Sequence, residues 1–204
     1  MPTPETHAHV PSPGSAAHPR RADARPNRGP AAGPGNRAAL IAAARELYAV
    51  DGPSAPFSAV AKRAGVGQGS LYRHFPDRTA LAVAVFEENL IDLEEFTAPD
   101  DRTIDDLLDR VVSQAMVATA FIELINADRH DPRVESLGIR FRTVVERLLT
   151  RELARGRVGA HIEVEDVTMA TGMLAAELAR ADPDQRAEVA RRARALFHAA
   201  FAPR

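Results

Sequence analysis

The chain has 204 residues, 45% of them hydrophobic, so it is long enough to bury a sizeable core in one or two domains and is not disordered throughout. The absence of cysteine excludes disulfides, thiolate metal sites and a cysteine nucleophile, and it fits a reducing compartment. The formal net charge of -2 is spread unevenly along the chain. Residues 37–81 carry six basic and three acidic residues, whereas residues 82–204 carry 16 basic and 23 acidic residues. The basic part is therefore suited to a polyanionic partner.

The N-terminal segment has the composition of an unfolded tail. Residues 1–35 are rich in Pro, Ala, Gly and Arg and show no periodic apolar pattern. Arg20, Arg21, Arg25 and Arg28 either add weak attraction to phosphate or belong to a solvated extension without a specific role. Neither a signal-peptide apolar region nor a run of roughly 18 apolar residues is present, so we expect a cytoplasmic protein with no membrane association.

The first predicted helix begins at Asn36, a favourable N-cap, and ends at the Asp51-Gly52-Pro53 stop. A second short helix follows Pro56 and ends at Gly65, since glycine adopts a left-handed C-cap at least cost. A third helix is predicted from about Gly67 to His74. Two short helices joined by a tight turn are typical of a helix-turn-helix. In the third helix Leu71 and Phe75 are expected to face inward, and the residues expected to face outward are Gln68, Ser70, Tyr72 and Arg73.

Helical patterns continue to the end of the chain. Asp77 is expected to cap a fourth helix that runs to about Phe96 and is long enough to connect two domains. Further helices are predicted at about 103–127, 132–156, 164–181 and 184–201. No segment shows convincing strand alternation, which predicts an all-α fold. We expect a helix-turn-helix domain over 36–81 and a helical body over 82–204.

The residues from Val60 to Phe75, read with Pro76-Asp77-Arg78 and Leu81, resemble the DNA-binding domain of the TetR family of repressors. The resemblance spans about 45 residues and implies a homodimer that binds double-stranded operator DNA and releases it when an unknown small molecule enters its helical body. Two positions depart from the family pattern. Pro56 stands where the family often has Thr, and Gly67 stands where it often has Ser or Thr, so one possible hydroxyl contact to phosphate is lost.

The resemblance also implies DNA-contacting roles for individual residues. Gln68 and Ser70 would open the recognition helix, where a glutamine can pair with adenine. Contacts to phosphate are implied for Tyr72, His74, Arg78 and Arg37, and Arg73 would touch either phosphate or base. Each position has a simpler interpretation as a solvated or packed side chain.

Beyond residue 101 the resemblance implies an effector-binding bundle that dimerises through its last two helices. On those helices the expected dimer faces comprise Val164, Val167, Thr168, Thr171, Gly172, Leu174, Ala175 and Leu178, then Val189, Ala193, Leu196, Phe197 and Ala200. The alternative is that these faces are intramolecular core. Effector contacts are predicted from side chains that could equally be plain core: Phe86, Leu90, Leu108, Val112, Met116, Phe121, Phe141 and Val145.

Two other functions are compatible with parts of the sequence. A small all-α enzyme would use groups such as His130 with Asp131, or His161 with Glu163 and Glu165, but no HExxH, nucleophile elbow or phosphate-binding glycine loop is present. We therefore expect neither enzyme activity nor a cofactor or metal. An activator, or a regulator that senses a protein, remains open because the helix-turn-helix does not discriminate between them.

Overall fold

The computed structural model describes residues 33–204 as eight α-helices, with no strand in that range. The all-α prediction is confirmed. The helices are α1 (Gly33–Asp51), α2 (Phe57–Ala64), α3 (Gln68–His74), α4 (Arg78–Phe96), α5 (Ile104–Ala127), α6 (Pro132–Ala154), α7 (Val164–Arg180) and α8 (Arg186–Phe201).

The start of α1 differs from the prediction. The helix begins at Gly33, so Asn36 lies inside its first turns instead of capping it, and residues 33–35 of the predicted tail are helical. The rest of that tail, with Arg20, Arg21, Arg25 and Arg28, lies outside the described residues.

The predicted stops and caps of the short helices are present. Gly65 adopts φ 69°, and its amide donates to carbonyl oxygens at the end of α2, as a left-handed C-cap requires. The Asp77 carboxylate accepts a hydrogen bond from the Ala80 amide at 2.6 Å and caps α4. Gly65 ends α2 shortly before α3 begins, and Asp77 begins α4 shortly after α3 ends. The direction of α3 relative to its neighbouring helices is therefore defined at both of its ends.

Helices α1, α2 and α3 and the first half of α4 share one hydrophobic core. Its fully buried side chains include Leu40 of α1, Val60 of α2, Leu71 of α3 and Leu81 of α4, each contributing about 1.5–3 kcal/mol by burial. This core extends into the body because Phe121 of α5 packs edge-to-face on Tyr48, with ring centroids 5.2 Å apart. The N-terminal helices are thus continuous with the helical body through a shared core.

A second core lies between the end of α4 and helices α5 to α8. Leu107, Leu148, Leu174 and Leu178 are fully buried in it. Helix α5 bends at Ala118, whose φ of -125° and ψ of 19° are not helical. Before the bend α5 packs in this core, whereas after it Phe121 packs in the first core and Ile122 still packs in the second. Within the described residues, no helix is long and apolar enough to cross a membrane.

Candidate nucleic-acid interface and internal cavity

Helix α3 is anchored on one side and exposed on the other. Leu71 and Phe75 are buried in the first core, as predicted. Gln68 and Arg73 are exposed, and Tyr72 is 50% exposed. The Tyr72 ring packs edge-to-face on Phe57 of α2, with centroids 5.5 Å apart, so the ring is positioned while much of the side chain stays accessible. The exposed face therefore presents a carboxamide, a phenol and a guanidinium together.

Two cations near this face are not neutralised by any of the described residues. Lys62 of α2 and Arg73 of α3 are exposed and have no ion-pair partner among residues 33–204. By contrast, Arg63 lies 3.2 Å from the Glu46 carboxylate. A polyanion would consequently meet its least compensated positive charge on α2 and α3.

Three other predicted DNA contacts have intramolecular partners. Arg78 donates a hydrogen bond to the Pro53 carbonyl at 2.8 Å, which ties α4 to the loop after α1. Arg37 lies 3.4 Å from the Glu87 carboxylate and places its guanidinium 5.6 Å from the centre of the Phe75 ring. His74 is half-buried, with its ring 6.3 Å from that of Phe75. These side chains are held by the fold before any ligand arrives.

Ser70 does not face outward as expected. Its hydroxyl oxygen is buried and has no hydrogen-bond partner among the described residues. Ser70 as a whole is half-buried, between the exposed residue Gly69 and the core residue Leu71. A base contact by Ser70 is therefore poorly supported by this geometry.

A polar junction links α4 to α6. The Arg133 guanidinium lies 3.1 Å from the carboxylate of Asp77, the N-cap of α4, and 2.6 Å from that of Asp131, the N-cap of α6. Hydrogen bonds from Arg133 lower the pKa of Asp131 to about 2. Thr79 also donates to the Asp128 carboxylate. The beginnings of two long helices are therefore held together by charged groups.

An apolar cavity of about 310 Å³ lies between α4, α5, α6 and α7. Predicted effector contacts that line it are Phe86, Leu90 and Phe141. The other five do not. Leu108 and Val145 are fully buried core residues, Val112 and Met116 pack against that core, and Phe121 packs on Tyr48. The sequence prediction missed most of the lining, which includes Asn89, Leu93, Gln114, Ile122, Ile125, Asn126, Leu137, Thr168 and Thr171.

The missed polar residues carried only a weak signal in the sequence. Asn89 directly follows Glu87 and Glu88, and Gln114 directly follows Ser113, so each reads as an ordinary solvated helix position. In the structure the Gln114 amide donates to the Asn89 carbonyl and to the Asp92 carboxylate, both at 2.9 Å. The Asn89 side-chain oxygen accepts from Arg45 of α1 at 3.1 Å. The cavity wall on α4 is therefore bonded directly to α1.

Helices α7 and α8 leave an apolar surface exposed. Met169 is 60% exposed, Met173 57% and Leu196 69%. Part of the predicted dimer face is instead intramolecular, because Val167, Leu174 and Leu178 are buried within the chain and Thr168, Thr171 and Ala175 line the cavity. The exposed strip therefore lies on a different face of α7 from these residues.

The side chains considered for catalysis have other partners. Asp131 caps α6 and is held by Arg133, and Glu163 begins α7 in a capping box with Asp166. A ring nitrogen of His161 lies 3.3 Å from the Ala200 carbonyl oxygen. Within residues 33–204, no three His, Asp or Glu side chains are grouped closely enough to hold a metal ion.

Residues 40–85 match the model of bacterial regulatory proteins of the tetR family. No curated protein sequence matches the chain. Among solved structures, a TetR transcriptional regulator from Streptomyces coelicolor is 24% identical, with a TM-score of 0.59 over 82% of this chain and 98% of that one. A TetR regulatory protein from Mycobacterium vanbaalenii is 21% identical, with a TM-score of 0.59 over 84% and 98%. A gamma-butyrolactone receptor is 20% identical, with a TM-score of 0.55 over 83% and 89%. The likeness to these structures concerns the fold.

Proposed function

We propose that this chain is a TetR-family regulator, and specifically a homodimeric repressor that a small molecule releases from a palindromic operator. The observation that carries the proposal is the exposed face of α3. Gln68, Tyr72 and Arg73 stand together there, on a helix whose other face is buried. A short helix presented in this way fits the major groove, where side chains reach base edges.

The proposed contacts divide into reading and positioning. Gln68 reads a base edge, since a carboxamide pairs with adenine through two hydrogen bonds. Tyr72, Arg73 and Lys62 bind phosphate, because they are exposed and the two cations have no ion-pair partner among the described residues. Arg37, His74 and Arg78 contact the DNA backbone at the edge of the interface.

The strip on α7 and α8 is the proposed dimer interface. Exposed methionine and leucine side chains at Met169, Met173 and Leu196 form an apolar surface that a second copy would remove from water. Two-fold symmetry would then present two α3 helices to successive major grooves.

Helix α4 is the proposed route of the switch. Its first turn is bonded to the α1–α2 loop through Arg78 and to α6 through Asp77, and its middle lines the cavity at Phe86 and Leu90. A ligand that favours one position of α4 would change the separation of the two α3 helices, so ligand and DNA would weaken each other's binding reciprocally. The receptor for gamma-butyrolactone among the similar structures supports a small organic effector.

Selection of bound sequences from random DNA tests the proposal. We expect a palindrome or near-palindrome, because two equivalent reading helices face two half-sites. The full chain is used, and a Gln68→Ala, Arg73→Ala double variant that remains folded serves as the control. Failure to enrich any sequence above the control would contradict the proposed function. Expression of neighbouring genes in a deletion strain would then distinguish repression from activation.

A further inference from the structure

We propose that the cavity takes an uncharged, largely apolar molecule with a carbonyl-type oxygen, and that this oxygen accepts a hydrogen bond from the side-chain amide of Asn89. The inference rests on the proposed function, since it names the class of effector. It has a separate physical basis in the lining of the cavity and in the hydrogen bonds that orient Asn89.

The lining selects against charged ligands. All 17 residues around the cavity are apolar, glycine, threonine, asparagine or glutamine, and none carries a charge. The charges next to the lining are already paired, since Arg110 donates two hydrogen bonds to the Asp92 carboxylate and lowers its pKa, and Arg45 lies 3.3 Å from the Glu88 carboxylate. A carboxylate or an ammonium ion in this cavity would lose its hydration without gaining an opposite charge.

Arg45 determines which end of the Asn89 amide is available. A guanidinium only donates hydrogen bonds, so the atom 3.1 Å from Arg45 must be the Asn89 oxygen, and the amide nitrogen is the end left over. That nitrogen has no partner within residues 33–204, although Asn89 is only 9% exposed. A donor in such a position is matched by a ligand acceptor.

Gln114 has the opposite arrangement. Both hydrogens of its side-chain amide are used, one toward the Asn89 carbonyl and one toward Asp92. Gln114 therefore links the middle of α4 to α5, and its amide has no hydrogen left for a ligand. On the α4 wall of the cavity, Asn89 is the side chain with an oriented and available donor. The hydroxyl of Thr168 donates within its own helix, to the carbonyls of Val164 and Glu165.

The apolar remainder of the cavity sets the size of the ligand. Phe86, Leu90, Leu93, Ile122 and Phe141 surround a volume of about 310 Å³, which suits a molecule of on the order of ten to fifteen heavy atoms. A polar oxygen at one end and a saturated chain at the other would satisfy both regions. Exposed Asn126, Gly138 and Gly172 form the mouth.

The test uses three series of straight-chain probes with six to twelve carbons: methyl ketones, carboxylates and alkylammonium ions. Binding to the full-length protein is measured by calorimetry and by thermal shift. We expect at least one ketone to bind about tenfold or more tightly than the carboxylate and the ammonium ion of equal length, because only the ketone is neutral and accepts a hydrogen bond.

Variants assign the contact to Asn89. Asn89→Leu keeps a similar size and removes the donor, so it should weaken the ketone by about tenfold. Thr168→Val is the matched control and should change ketone affinity by less than about twofold, since its hydroxyl is bonded within α7. Arg45→Met should weaken ketone binding in the original chain but not in the Asn89→Leu chain, because Arg45 acts only by orienting Asn89.

Several results would overturn the inference: no ketone binding up to the solubility limit, charged probes that bind as well as ketones, or unchanged ketone affinity in a folded Asn89→Leu variant. These outcomes are separable from failure of the proposed function. A chain that selects a palindrome but ignores the ketones is a regulator with another class of ligand. If the chain binds ketones but selects no DNA sequence, the cavity assignment stands and the proposed operator binding is contradicted.

Discussion

Gln68 and Arg73 lie on the same exposed face of α3 but are suited to different contacts. The carboxamide of Gln68 can form a directed pair with a base, whereas the cation of Arg73 attracts any phosphate. Arg78, for which the family resemblance implies a phosphate contact, also has a structural role because it donates a hydrogen bond to the Pro53 carbonyl. Loss of Arg78 would therefore combine a DNA effect with a stability cost of about 0.5–1.5 kcal/mol.

We predict that Gln68→Ala costs about 1–3 kcal/mol on the preferred operator, relaxes the choice of base at one position per half-site and leaves the salt dependence nearly unchanged. Arg73→Ala should weaken operator and random DNA by similar factors and flatten the salt dependence by about one unit per lost phosphate contact. Binding isotherms at several salt concentrations measure both. Identical behaviour of the two folded variants would refute the assignment of Gln68 to base contacts and of Arg73 to phosphate contacts.

Helix α6 contributes to both the cavity and the junction with α4. Its first turn carries Arg133, bonded to Asp77, and its next turns carry Leu137, Gly138 and Phe141 at the cavity. Gly138 is a helical glycine at the mouth, and a Cβ atom built there meets no other atom within 4 Å. The position can therefore be altered without a clash.

We predict that Gly138→Ala raises the free energy of unfolding by up to about 1 kcal/mol, because alanine has the higher helix propensity and fits the open space. The free energy of unfolding of Gly138→Phe should be at most about 1 kcal/mol below that of Gly138→Ala. The phenylalanine ring should nevertheless obstruct the mouth of the cavity and slow ligand entry. Chemical denaturation and stopped-flow binding of a ketone probe are the measurements. An unchanged association rate in Gly138→Phe would place the entrance elsewhere.

The arrangement of the whole molecule depends on whether the apolar strip on α7 and α8 is covered. Leu196 is the most exposed large apolar side chain of the strip, whereas Ile139 of α6 is similarly exposed at 68% outside it. These two residues form a matched pair, since both lie on helices and both would carry the same new charge.

We predict that Leu196→Glu dissociates the proposed dimer into monomers, because two carboxylates would face each other across a two-fold interface. Operator affinity should fall by about a hundredfold or more, since each half-site is then bound independently. Ile139→Glu should remain dimeric. Light scattering and operator titration check both variants, and a dimeric Leu196→Glu protein would move the interface away from this strip.

Local features of the chain were readable from the sequence alone. The turns at Gly65 and Asp77 are set by glycine's tolerance of positive φ and by the capping carboxylate, and both depend only on neighbouring residues. Helical periodicity likewise predicted the inward positions of Leu71 and Phe75. The helix-turn-helix could therefore be located before any tertiary structure was known.

The tertiary structure alone decided which inward-facing side chains line a cavity and which fill a core. Periodicity marks Leu90 and Leu108 as equally inward, but only Leu90 borders the space between α4, α5, α6 and α7, because that depends on how far neighbouring helices stand apart. The orientation of Asn89 likewise depends on Arg45, which is 44 residues away in the chain. A side chain's partner across such a separation is set by the packing of whole helices, which local sequence patterns do not encode.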